Sequence, residues 1–123
     1  MSRLLNVETS EILSNREKYV IEAAIKFNCI AILKGKDTLV TDGEDIYTNK
    51  TGSSALAKAG TGDVLTGMIS GLLAQSKNSL YSAAAGVYLH GLTADIAENL
   101  TTKYGLLASE LIDCIPQSIM KIL

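Results

Sequence analysis

Gly60-Thr61-Gly62-Asp63, followed by Val64-Leu65-Thr66-Gly67, puts two glycines, a hydroxyl and a carboxylate where an apolar helix begins. Glycine tolerates positive φ and lets a ligand approach the backbone, so Gly60 and Gly62 allow successive N–H groups to face one concavity. The following helix adds the free N–H groups of its first turn and about half a positive charge from its dipole. Phosphate oxygens suit such a place. A carboxylate repels phosphate, so Asp63 implies a second task, such as accepting a proton from a hydroxyl. These four residues leave open the alternative that Asp63 only caps the helix, because aspartate is among the best N-cap residues.

The elements that must position this turn follow from periodicity. Ser14 with Glu17 three residues later forms a capping-box pattern, and Val20, Ala23, Ala24 and Phe27 then share one face, which predicts a helix from about Asn15 to Phe27. Cys29 to Leu33 is a short uninterrupted apolar run, as expected of a strand covered on both faces in a parallel sheet. Thr38 to Thr41 and Asp45 to Thr48 are short strand candidates joined by Asp42-Gly43-Glu44, which predicts an antiparallel pair at the sheet edge.

Beyond the glycine turn, Val64, Leu65, Met68, Ile69, Leu72 and Leu73 predict a central, buried helix, with Gly67, Ser70 and Gly71 permitting close packing. A second long helix is expected over Ser79 to Leu100. It carries His90, the only histidine, read as a packed and hydrogen-bonded residue, and Asp95 and Glu98, read as its solvated face. A last helix from about Ser109 meets Pro116, which either breaks it or starts a new turn.

At 123 residues, nearly half of them apolar, the chain is long enough to bury a core and reads as one partial domain over 1–123. A formal charge of -2, with five tyrosines, one phenylalanine and no tryptophan, gives no electrostatic or stacking footprint for nucleic acid. No secretory pattern opens the chain and no apolar run reaches the roughly 18 residues of a membrane span, so a cytoplasmic location and no membrane partner are expected. Cys29 and Cys114 lack metal-ligand spacing and are read as reduced core residues, and no metal is assigned to a side-chain cluster. One buried parallel strand needs parallel neighbours that this chain does not supply, so the sheet reads as incomplete.

Leu33-Lys34-Gly35-Lys36-Asp37-Thr38, Tyr47-Thr48-Asn49, Thr51-Gly52 and Ala57 through Gly67 occur in the order and spacing of the ADP-dependent NAD(P)H-hydrate dehydratases of the ribokinase-like superfamily. The resemblance continues through Leu72-Leu73-Ala74-Gln75, Tyr88-Leu89-His90-Gly91 and Gly105 to Ile112, and it is to the C-terminal half of those enzymes. It implies an α/β chain forming the C-terminal portion of a three-layer α/β/α fold, helix-rich with a few strands. It also implies ADP-driven removal of water from hydrated NADH or NADPH, with ADP or ATP and Mg2+ as companions.

By resemblance, Lys34, Gly35, Lys36, Asp37 and Thr38 border the AMP part of the nucleotide, and Gly60, Thr61 and Gly62 hold its phosphates. Asp63 then meets the hydrated dinucleotide as catalytic base. Between Gly52 and Ala57 the chain reads Ser53-Ser54-Ala55-Leu56 where the family has Asn-Pro-Gly-Met, which implies altered loop geometry. Two other classes stay open: a ribokinase-like small-molecule kinase, and a self-associating fragment without catalysis. Unpaired strand edges and apolar surface favour a homo-oligomer.

Overall fold

The computed structural model describes residues 1–102 and 104–123, which form two compact units, Met1–Asn49 and Lys50–Leu123.

The first unit opens with two short helices, α1 (Ser2–Leu5) and α2 (Thr9–Ser14), before α3 (Arg16–Phe27). The Ser14–Glu17 box is not made, because the Ser14 hydroxyl donates back to Ser10 O at 3.0 Å and Asn15 takes the cap position without a side-chain bond. Val20, Ala23 and Ala24 are buried as the periodicity requires, whereas Phe27 is 44 % exposed at the helix end. Asn28 then turns left-handed (φ 47°) and Cys29 N–H returns to Ala24 O at 3.1 Å. That cap consumes the residues expected to start the strand, so Cys29 is exposed rather than in the core, and β1 is only Ala31–Leu33. Both cysteines are free thiols, and Cys114 is buried as expected.

β2 (Leu39–Thr41) and β3 (Ile46–Thr48) form the expected antiparallel hairpin. β1 pairs with β2 antiparallel, Ile32 opposite Val40, so the order is β1-β2-β3 and the parallel pairing expected of β1 does not occur among the described residues. α3 covers the sheet, and the core gathers Leu5, Ile12, Tyr19, Val20, Ala24, Ala31 and Leu39.

The second unit begins with a single 3-10 turn, Ser54–Leu56, whose N-cap Ser53 accepts from Ala55 N–H. α4 (Thr61–Gln75), α5 (Ser79–Leu100), α6 (Ala108–Asp113) and α7 (Ile115–Ile122) follow. α5 is the buried one: Ala83, Val87, Leu89, Ala94 and Ala97 are nearly inaccessible, and Asn78 caps it by accepting Tyr81 N–H at 2.8 Å. Gly91 lets α5 meet the preceding loop, since a Cβ there would stand 2.6 Å from the carbonyl carbon of Thr51. Pro116 stands at the start of α7, so the last helical region is split in two.

α4 departs from its expected burial. Only Thr61 and Leu65 are buried, Leu73 is 43 % exposed, and Gly67 and Gly71 face open space. An apolar arc wide enough for two neighbours meets α5 and α6 on one side and water on the other.

Candidate functional site

Gly60 is the N-cap of α4 and adopts φ 87°, a left-handed conformation that a side chain would strain. Its neighbour in space is Ala108, whose Cβ lies 3.0 Å from where a Gly60 Cβ would stand, so the turn and the start of α6 meet closely. Gly62 does not share the positive φ; it is the second residue of the helix proper, and what it offers there is a first turn without a side chain. The N–H groups of Asp63 and Val64 both point back to Gly60 O, at 3.0 and 3.2 Å. Those of Thr61 and Gly62 precede any intrahelical acceptor, which leaves the helix end chemically suited to an anion.

Asp63 sits in this first turn with an exposed carboxylate that has no hydrogen-bond partner among the described residues. The capping alternative is therefore not the one realised: Gly60 is the N-cap and receives no side-chain bond. Asp63 and Gly60 instead line one end of a groove of about 710 Å3. Its other walls are Val64, Met68 and Leu72 of α4, Leu89 of α5, Ser109 and Ile112 of α6, and Ile115 and Ile119 of α7. The lining is mostly apolar, and its polar side chains are Asp63 and Gln75 at the two ends of α4 and Ser109 of α6.

Several contacts hold the turn in place. The Thr61 hydroxyl is shared between Leu56 O at 2.7 Å and Lys58 O at 2.9 Å, which ties the 3-10 turn to the start of α4. His90 is buried and its Nε2 lies 2.8 Å from Thr61 O, the packed role expected of it. Lys58 Nζ donates to Tyr104 O at 2.6 Å and Leu106 O at 2.8 Å, fastening the segment that leads into α6. Asp95 and Glu98 are not a merely solvated face. Asp95 Oδ2 accepts Gly52 N–H at 3.0 Å and Glu98 accepts the Ser53 hydroxyl, so the loop lacking Pro-Gly is pinned to α5 by carboxylates. Neither role was legible in sequence, because both partners lie more than 40 residues away.

The second set of expected site residues belongs to the first unit. Lys34, Gly35 and Lys36 are exposed at the end of β1, and Asp37 and Thr38 are half-buried. Gly35 (φ 138°) and Asp37 (φ 53°) shape a turn closed by the Thr38 hydroxyl donating to Gly35 O at 2.9 Å. Arg16, which sequence reasoning passed over, reaches this turn from α3. The one signal was its position, since a cation at a helix N-terminus opposes the dipole. Among the described residues no cluster of His, Cys, Asp or Glu could hold a metal, and no helix is long and apolar enough to cross a membrane.

A family model described as NAD(P)H-hydrate dehydratase matches residues 1–117. The chain is 38% identical over 117 residues to the ADP-dependent (S)-NAD(P)H-hydrate dehydratase of Bacillus subtilis, covering 94% of this chain and 42% of that protein. With the enzyme of the same name from Neisseria meningitidis it shares 40% identity over 112 residues, or 89% of this chain and 38% of the relative. The chain thus spans about two fifths of the length of these curated relatives. A crystal structure of the Bacillus subtilis ADP/ATP-dependent dehydratase, co-crystallised with ATP/Mg2+ and soaked with CoA, superposes with a TM-score of 0.94 at 35% identity. That match covers 99% of this chain and 46% of the other, so the helix-rich architecture with its small antiparallel sheet is that of part of a dehydratase fold.

Proposed function

The chain belongs to the NAD(P)H-hydrate dehydratase family, and on that premise we propose that it serves ADP-dependent dehydration of NAD(P)H hydrate as the C-terminal portion of a ribokinase-like domain. The observation that carries the reading is an unpartnered carboxylate, Asp63, beside the free N–H groups of a glycine-entered helix, in a chain whose family performs this repair. Hydroxide is a poor leaving group, and the nucleotide supplies the phosphoryl group that makes its departure easy.

In this reading the N–H groups of Thr61 and Gly62 hold nucleotide phosphate, and Gly60 sets the turn that aims them. Asp63 accepts the proton of the hydrate hydroxyl, helped by the absence of competing donors to its oxygens. Lys34, Gly35, Lys36, Asp37 and Thr38 border the AMP part of ADP or ATP. Mg2+ would accompany the phosphates, held by their oxygens and by water, and would offset their charge. The setting is a cytoplasmic repair enzyme. A homo-oligomer follows where a second copy, and not the rest of the domain, covers the outer edge of β1, which no described strand covers.

Calorimetric titration with ADP and Mg2+ tests the reading on three proteins. The parent binds, Asp63→Ala binds and does not turn over hydrate in the presence of whatever completes the enzyme, and Gly62→Val does not bind. Unchanged ADP affinity in Gly62→Val would remove the glycine turn from the phosphate site.

A further inference from the structure

We infer that Arg16 is a positioning residue for the Lys34–Thr38 turn, clamping with one guanidinium the carbonyl that precedes the turn and one within it. Its Nη2 donates to Leu33 O at 3.1 Å and its Nη1 donates to Lys36 O. The same Nη2 lies 3.4 Å from where a Cβ at Gly35 would stand, so the fork seats directly beneath the turn. The turn needs such a clamp. Two of its residues, Gly35 and Asp37, have φ of 138° and 53°, and a non-glycine residue in the left-handed region persists only when its surroundings over-determine it. The Thr38 hydroxyl closes the turn from within and Arg16 braces it from α3, while the Lys34 and Lys36 side chains stay exposed.

The chemistry selects arginine over lysine. A planar guanidinium places its donors on separate nitrogens in a fixed fork, so Arg16 spans two carbonyls with Nη1 and Nη2, whereas an ammonium has its three donors on one nitrogen and bonds two carbonyls only where they converge on that atom, as Lys58 does with Tyr104 O and Leu106 O. The position also argues for a purpose outside the helix. Arg16 is the first residue of α3, where a cation meets the positive end of the dipole, so it gains nothing from the helix it belongs to. The inference rests on the reading that this turn borders the nucleotide.

The test uses Arg16→Lys and Arg16→Ala in the full chain. Two readouts are taken, amide hydrogen exchange of residues 34–38 without nucleotide and titration with ADP and Mg2+. Expected are about tenfold faster exchange confined to the turn and about tenfold weaker ADP binding in both variants, from loss of charge-assisted bonds at a partly exposed site. Lysine failing to rescue separates the fork from the charge. Parent-like affinity in Arg16→Lys, or unchanged exchange in Arg16→Ala, would overturn the inference. Should the alanine variant not fold, Arg16→Lys decides alone. Should the parent not bind ADP, the nucleotide reading falls, and exchange in the turn still decides whether Arg16 holds it.

Discussion

Alanine replacing glycine should have opposite signs at two helical positions of the second unit. At Gly67 in α4 an added Cβ meets no atom within 4 Å, and the residue is exposed. There Gly67→Ala only removes backbone freedom from the unfolded chain and should stabilise by about 0.5–1 kcal/mol. At Gly91 in α5 the added Cβ would stand 2.6 Å from Thr51 C and 2.7 Å from Thr51 O, nearly 1 Å inside ordinary contact. Both atoms belong to backbone, and the stretch is held by the Thr51 hydroxyl donating to Tyr88 O at 2.7 Å and by Asp95 at Gly52. Neither side can yield by rotating a side chain. Overpacking of this kind costs about 3 kcal/mol or more, and the same helical gain of about 1 kcal/mol offsets part of it. The net loss is then about 2 kcal/mol at least. At about 4 °C per kcal/mol for a chain of this size, thermal unfolding by circular dichroism should fall about 8 °C in Gly91→Ala and rise about 3 °C in Gly67→Ala. Equal shifts of one sign, or Gly91→Ala within 2 °C of the parent, would refute the close approach of α5 to Thr51 on which the argument depends.

His90→Ala should cost about 2–4 kcal/mol through the lost bond to Thr61 O and the cavity left beside α4, and chemical denaturation reads it. His90→Phe, which keeps the volume, should cost less, and a loss under about 1 kcal/mol in the alanine variant would deny the packed role. Asp42 accepts N–H bonds from Glu44 and Asp45 at 3.0 and 2.9 Å, which hold its carboxyl below its ordinary value of 3.8. A depressed folded value means that its stabilising contribution is present above the unfolded value and lost as pH falls through the folded one. An NMR titration midpoint for Asp42 at or above 3.8 would contradict those bonds.

The legible part of the fold was the local part. α5 begins at Ser79 and ends at Leu100 as expected, and Leu39–Thr41 and Ile46–Thr48 form the hairpin that Asp42-Gly43-Glu44 announces. Both rest on neighbours in sequence, where period and turn chemistry act directly. The misreadings had a common origin. The run Cys29 to Leu33 looked like a parallel strand because apolarity marks burial without saying which way a partner runs, and the cap at Asn28 shortened it. Ser14 offered a cap that its own helix claimed first, through Ser10 O. α1 and α2 are too short for periodicity to register.

At the candidate site, residue types and spacing determined that Gly60 to Asp63 open a helix, that its first turn suits an anion, and that a carboxylate stands within it. They also carried the family resemblance, since motif order survives where contacts are invisible. Tertiary structure decided which residues hold that turn. His90 reaches it from 29 residues away and Ala108 from α6, Lys58 just before it bonds Leu106 O 48 residues on, Asp95 and Glu98 pin the loop before it, and Arg16 braces the other turn across 17 and 20 residues. It also left the apolar face of α4 open and freed Asp63 from capping. The physical reason is that backbone propensity and turn chemistry act over a few residues, whereas hydrogen-bond partners and burial depend on which surfaces the folded chain brings together.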